Sequence, residues 1–325
     1  MVVDVDERTL DRPTGFAIRD PLPWSDLVEV VGTGEQTGYG HLFLPETSGR
    51  DAFATLAGLA AHTSTLRLGT GVVTTVSRRA ATTGMAATTV HELSGGRLIL
   101  GLGTGPAAPG ALRRLRELVL ALRRAFSGEV AETSDGERFR LDLRPPEPPP
   151  IWIAALGPAA ARLAGEVADG VLLNWCPPER VAWARERIRE GAERAGRDPS
   201  AVTVAVYVRA CAGQDPEASA LALGRAAGQY ASYPAYRRQF EAVGLGEEAR
   251  AAAAAFAAGR PEAVPKAIVR RCCLLGQASE CSAGLDAYRE AGADVPVVYP
   301  VPVMEPVSSI LGTLFALAPH PAVSS

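Results

Sequence analysis

The chain has 325 residues, 47% of them hydrophobic, which suits one large α/β barrel or two smaller domains. Its net charge of -3 leaves no basic footprint for nucleic acid. Five cysteines with no CxxC pair and four scattered histidines argue against a metal centre and for reduced thiols in a cytoplasm.

In chain order, strands alternate with helices. The opening MVVDVDERTLDRP is acidic and polar, unlike a signal or transit peptide. A strand is expected over 15–18, a helix over 24–37, strand HLFLP over 41–45, a helix over 51–62 and strand LRLGTGVV over 66–73. A helix over 80–93 leads through an SGGR turn to the strand 98–102. An amphipathic helix over 112–126 carries arginines on a solvated face, and a polar, hairpin-like segment spans 132–143. The proline cluster RPPEPPP (144–150) is extended. It runs straight into the apolar strand IWIAA (151–155), so it reads as an ordered connector within one domain. Then come helix 158–168, strand 171–173, helix 178–195, strand 202–210 and an Ala-rich helical region over 215–258. A helix over 279–291, strand VPVVYP (295–300) and a terminal helix close the chain. The apolar run 310–317 is too short to span a bilayer. Eight strand candidates alternating with helices favour a closed (β/α)8 TIM barrel over an open sheet. The whole chain, 1–325, reads as a single domain with a helical insertion over 215–260.

The stretch 84–105, GMAATTVHELSGGRLILGLGTG, is the most informative. Leu98, Ile99, Leu100 and Leu102 form a strand that must be buried on both faces. Gly101, Gly103 and Gly105 leave no side chain at its carboxyl end, where parallel α/β folds bind ligands, and so suit a bulky flat one. The same pattern also arises where backbone simply needs room.

Three strand ends could carry chemistry. Glu46, after strand HLFLP, could bind a ligand N–H, act as an acid, or serve as a charge leading into the next helix. LGTGVV is either an ordinary strand or backbone that presses on a planar ring. Ala154, Ala155, Leu156 and Gly157 precede Pro158 at a helix start, which is either a phosphate cradle or a plain start. Ser94 near His91 and Glu92 makes no triad; it reads as a turn former beside a helix residue. A barrel without a nucleophile–base pair leaves the hard chemistry to a cofactor.

GYGHLFLPETSGRDAFATLAGLAAHTSTLRLGTGVV, MAATTVHELSGGRLILGLGTG and PIWIAALGPAAARLAGEVADGVLLN, in that order, resemble the luciferase-like monooxygenase superfamily. Within it they resemble the branch that uses the deazaflavin coenzyme F-420. The resemblance implies a bacterial luciferase-like barrel with insertions. It implies that Gly71–Val72 is a non-prolyl cis peptide against the back of the ring, and that Glu46 stands beside the ring as the one catalytic ionisable group. Thr104 and Gly105 would line the cofactor cleft; Ala154, Ala155, Leu156 and Gly157 would cradle the phosphate and nearby tail. Asn174 matches a polar position at the next strand end. Glu46–Thr47 stands where some relatives carry Asp-His, and Pro106 where sugar-phosphate dehydrogenase members carry glutamate. The implied function is hydride transfer between deazaflavin C5 and a small-molecule or modified-peptide substrate, by C=C or C=N reduction or alcohol oxidation. An FMN-dependent monooxygenase and a non-catalytic coenzyme-binding protein are the alternatives. A cytoplasmic homodimer is expected, with no nucleic-acid or membrane partner.

Overall fold

Eight parallel strands form a closed ring in the computed structural model, which describes residues 13–19, 21–106 and 108–319. The polar opening segment and His320 lie outside the described residues. The strands are β1 (Gly15–Ala17), β2 (His41–Leu44), β3 (Arg67–Thr70), β4 (Leu98–Gly103), β5 (Ile151–Ala154), β6 (Gly170–Asn174), β7 (Thr203–Ala212) and β8 (Val295–Pro300). Each pairs with its successor, and β8 returns to β1 with Val297 opposite Gly15. Side chains alternate across each strand. Ala17, Phe43, Ile99, Trp152, Leu172, Tyr207 and Tyr299 fill the barrel interior. Their neighbours Phe16, Leu42, Leu98, Leu100, Ile153 and Val206 pack outward beneath the helices. Burial on both faces is why these strands read as continuous apolar runs.

The covering helices are α1 (Trp24–Gln36), α2 (Ala52–Ala60), α3 (Ala80–Leu93), α4 (Ala111–Phe126), α5 (Pro158–Val167) and α6 (Pro178–Arg194). They continue with α7 (Pro216–Ala231), α8 (Pro234–Glu241), α9 (Gly246–Ala257), α10 (Lys266–Cys272), α11 (Ala278–Glu290) and α12 (Pro306–Ala316). Helix α4 buries Leu115, Leu118, Val119 and Leu122 and turns Arg113, Arg116 and Arg124 to solvent, the stripe its spacing dictates. The SGGR turn works through two glycines in the left-handed region, Gly95 (φ 64°) and Gly96 (φ 85°). Arg97 beyond them donates to the carbonyls of Leu66 (2.8 Å), Thr63 (3.0 Å) and Ala60 (3.1 Å), fastening the end of α2 to β4.

The expected strand 66–73 is divided. β3 ends at Thr70, the Gly71–Val72 peptide is cis, and Val73–Thr74 resumes against Leu102–Gly103. The Ala-rich helical region consists of three helices, broken before Pro234 and at Gly244, whose φ is 77°. Leu223, Ala227, Phe240, Leu245 and Ala252 give these helices a cluster of their own, which meets the barrel at Trp175 and Cys211. The polar segment contains an antiparallel pair, Ala131–Glu132 with Arg138–Phe139. Helix α10 and the strand Cys273–Gly276, which pairs with β7 from Arg209 to Ala212, are additions to the expected order. So short an apolar run cannot be told from helix by its periodicity. Among the described residues no helix is long and apolar enough to cross a membrane.

Candidate active site

At the carboxyl rim of the barrel a cleft of about 350 Å³ opens between the ends of β1, β7 and β8, the loop after β2, and α7. Arg19, Ser48, Arg209, Gln229, Tyr230 and Tyr299 are among its lining residues. Arg209 is the next inward position of β7 after Ala205 and Tyr207, and pairs in register with Tyr299. It is 2% exposed. Its guanidinium carbon lies 4.4 Å from the ring centre of Tyr299, 4.7 Å from Trp175 and 4.9 Å from Tyr230. The negative ring faces attract the cation and compensate part of its lost hydration.

Arg209 Nη1 donates to Asn174 Oδ1, and Asn174 Nδ2 donates to the Tyr236 hydroxyl at 2.7 Å. Gln239 donates to the carbonyls of Asn174 (2.5 Å) and Trp175 (2.7 Å), where Trp175 leaves β6 at a φ of 51°. Tyr207 donates to the Gly71 carbonyl at 3.3 Å. Burial pushes the phenols of Tyr207 and Tyr299 above their ordinary range, so both keep their protons.

The residues singled out in the sequence lie on the other arc of the rim, at the ends of β2 to β6. Glu46 accepts from Arg78 Nε at 3.1 Å and Nη2 at 2.8 Å, and from the Ala52 N–H at 3.1 Å. Of its possible roles, the charge at a helix start describes this geometry. Its carboxylate is turned to α2, while the following Thr47, Ser48 and Gly49 line the cleft. A Cβ on Gly71 would stand 1.9 Å from the Tyr207 hydroxyl. Thr104 donates to the Gly105 carbonyl at 3.1 Å, and Gly105 has a φ of 70°. The room left by the glycines of β4 is filled by the protein itself. A Cβ on Gly101 would meet Thr70 O at 1.9 Å, one on Gly103 would meet Val72 Cγ2 at 2.6 Å, and one on Gly105 would meet Val76 Cγ2 at 2.8 Å. Gly101 and Gly103 thus make room for the close approach of Thr70 and Val72.

Ala154 ends β5, and Ala155 and Leu156 lead to Gly157, the extended N-cap of α5 (φ -113°, ψ 173°). No side chain caps this helix, and a Cβ on Gly157 would meet nothing within 4 Å. The first-turn N–H groups therefore face outward with the positive end of the helix dipole. Behind the turn is a space of only about 10 Å³, bordered by Leu156, Gly157, Cys176 and Arg180. Arg180 lies 3.3 Å over the Trp183 ring and its Nε is buried without a partner. An open helix start with the Arg180 guanidinium nearby suits an anion on the outer side of the turn.

Arg209, Arg180, Tyr207 and Tyr299 were not legible as site residues from motifs. Arg209 does leave one signal: a charge inside the apolar run VAVYVRACA, where a parallel strand buries both faces. Arg180 leaves none, because arginines are common throughout α6. His91 Nε2 lies 3.0 Å from Glu147 O, and Ser94 donates to His91 O at 3.1 Å, a helix residue and a turn former. All five cysteines are buried, and burial pushes the thiols of Cys211 and Cys272 up to about 12. Among the described residues no group of three or more His, Cys, Asp or Glu could hold a metal.

The rim can be set beside known proteins. Over 224 residues the chain is 37% identical to the 5,10-methylenetetrahydromethanopterin reductase of Methanolobus tindarius, covering 63% of this chain and 65% of that protein. Over 207 residues it is 30% identical to the reductase of the same name from Archaeoglobus fulgidus, covering 59% and 62%. The chain thus spans a little under two thirds of the length of these relatives. The solved coenzyme F-420 dependent tetrahydromethanopterin reductase of Methanopyrus kandleri shares the fold with a TM-score of 0.76 at 18% identity, over 95% of this chain and 98% of that one. Residues 9–295 match the luciferase-like monooxygenase family, and the chain belongs to it.

Proposed function

We propose that this protein is an F-420-dependent oxidoreductase that exchanges a hydride between the coenzyme and an organic substrate seated in the cleft. The observation that carries the reading is the division of the rim into two arcs. The arc from β2 to β6 includes the uncapped start of α5 after Gly157, with Arg180 nearby. The arc of β7, β8 and β1 holds the cleft and its polar side chains. Two relatives whose names state F-420 dependence, at 33% and 32% identity, support the coenzyme class.

When bound, the coenzyme supplies hydride chemistry at ring carbon C5. In this reading the α5 N–H groups after Gly157, with Arg180, hold the phosphate. Ala154, Ala155, Leu156, Thr104 and Gly105 line the tail and ring edge. The Gly71–Val72 segment, held by the Tyr207 hydroxyl, backs the ring. Asn174 joins the two arcs through Arg209. Glu46 acts as a positioning residue beside the ring through Arg78. Tyr299 lines the cleft with its proton held on Oη and is the donor offered to a substrate oxygen or nitrogen. Helix α7 walls one side of the cleft through Ala226, Gln229 and Tyr230.

Fluorescence titration of the purified protein with oxidised F-420, and separately with FMN, tests the reading. Micromolar or tighter binding of F-420 alone is expected. Binding of FMN alone would replace it with an oxygen-using monooxygenase, and binding of neither would sink both.

A further inference from the structure

We infer that Arg209 is an oxyanion receptor, so the substrate taken by the cleft carries a carboxylate or phosphate group. The inference rests on reading this rim as an active site, and it names the class of substrate. Guanidinium groups this deeply buried are almost always matched by a carboxylate, because losing water is costly for an unpaired charge. Several less buried arginines of the chain have such a partner: Arg123 pairs with Asp169, Arg162 with Glu190 and Arg78 with Glu46. At 2% exposure Arg209 is more buried than any of these, yet among the described residues it meets no carboxylate.

Its fork of five N–H donors has one acceptor among the described residues, Asn174 Oδ1. Three aromatic rings hold the plane of the group in place. The remaining donors belong to a residue that lines the cleft. A planar fork already fixed in orientation is suited to two-bonded contact with an oxyanion and loses little freedom on making it. The charge of the cleft agrees. Arg19 stands on its lip, and among the described lining residues there is no Asp or Glu. In the proposed reading the coenzyme's own phosphate sits on the opposite arc, at the start of α5, which leaves Arg209 to the substrate.

The test uses calorimetry on the full chain with benzoate, phenyl phosphate and benzamide, three probes of similar ring size and different charge, each with and without saturating F-420. At least one anion should bind tenfold or more tighter than benzamide. Arg209→Met should abolish that preference, and Arg209→Lys, which keeps the charge without the fork, should retain part of it. Equal binding of benzamide, no binding of any probe, or an unchanged preference in Arg209→Met would overturn the inference. Displacement of the anion by F-420 would also overturn it, by assigning Arg209 to the coenzyme. Should Arg209→Met fail to fold, the wild-type selectivity and Arg209→Lys still decide. Anion preference without F-420 binding would sink the coenzyme reading and leave the receptor standing; F-420 binding without anion preference would do the reverse.

Discussion

Glu46 and Arg78 form a two-bonded pair, Nε to Oε1 at 3.1 Å and Nη2 to Oε2 at 2.8 Å, and the same carboxylate accepts from the first N–H of α2. The pair ties the exit of β2 to the loop that leads into α3. Both side chains are four-fifths or more buried, at 20% and 15% exposure. Arg78→Met should therefore cost about 1.5–3 kcal/mol, the range for hydrogen bonds to charged groups. Glu46→Gln should cost less, since an amide oxygen still accepts from Ala52. Urea unfolding of the two variants reads the difference. Stabilities within error of wild type would reduce the pair to a solvated surface contact.

Gly157→Asp separates folding from binding. Its extended backbone accepts any residue, and nothing lies within 4 Å of the new Cβ. An aspartate there would cap α5, adding a few tenths of a kcal/mol. The same carboxylate would repel a phosphate at the helix start. A melting temperature equal to or above wild type is expected, with F-420 affinity reduced tenfold or more. Unchanged affinity would remove Gly157 from the phosphate site.

Helices α5 and α6 touch through backbone. A Cβ on Gly165 would lie 2.0 Å from Ile188 O, and one on Gly191 would lie 1.9 Å from Arg162 O. Neither neighbour is a side-chain end that could swing away. Gly165→Ala and Gly191→Ala should each destabilise by about 1–3 kcal/mol or more, although alanine is the better helix former. The two should be less than additive, because one relaxation of the helix pair relieves both. Denaturant midpoints for the single and double variants check this.

His41 sits on the inward face at the foot of β2, with its ring near Phe43 and Trp152 and its Nδ1 buried without a partner. Burial, with Arg67 adding to it, lowers its pKa from 6.5 to about 4. The unfolded chain thus binds this proton more readily than the folded one. The contribution is complete above about pH 6.5 and is lost as the pH falls toward about 4, on the order of 3 kcal/mol across the window. His41→Leu should flatten the stability–pH curve there. Urea midpoints measured at several pH values would show it; a slope identical to wild type would assign the acid sensitivity to other groups.

The bounds of α3 and β8 follow from local chemistry. Their punctuation, and a run of apolar residues buried on both faces, specify the element without reference to the rest of the chain. The alternation of strand and helix specifies the barrel in the same way, and Gly157–Pro158 marks a helix start that any reader of turn chemistry would find. The direction of the Glu46 carboxylate could not be read so, because its partner Arg78 comes from the approach to another helix. The glycines of β4 fit either ligand space or close backbone approach, and the approach of Thr70 O to Gly101 and of Val72 to Gly103 is a fact of how β3 and the segment after it pack beside β4. Arg209 makes the contrast sharpest. Its presence in an apolar strand was visible, but Asn174, Tyr230 and Tyr299 reach it only when β6, α7 and β8 meet around β7. Sequence by itself determined which segments are strands and helices and that they close a barrel, since periodicity and backbone preference act within a few residues. Only the tertiary structure decided which charges are paired and which are left facing the cleft, since that depends on side chains brought together from distant segments.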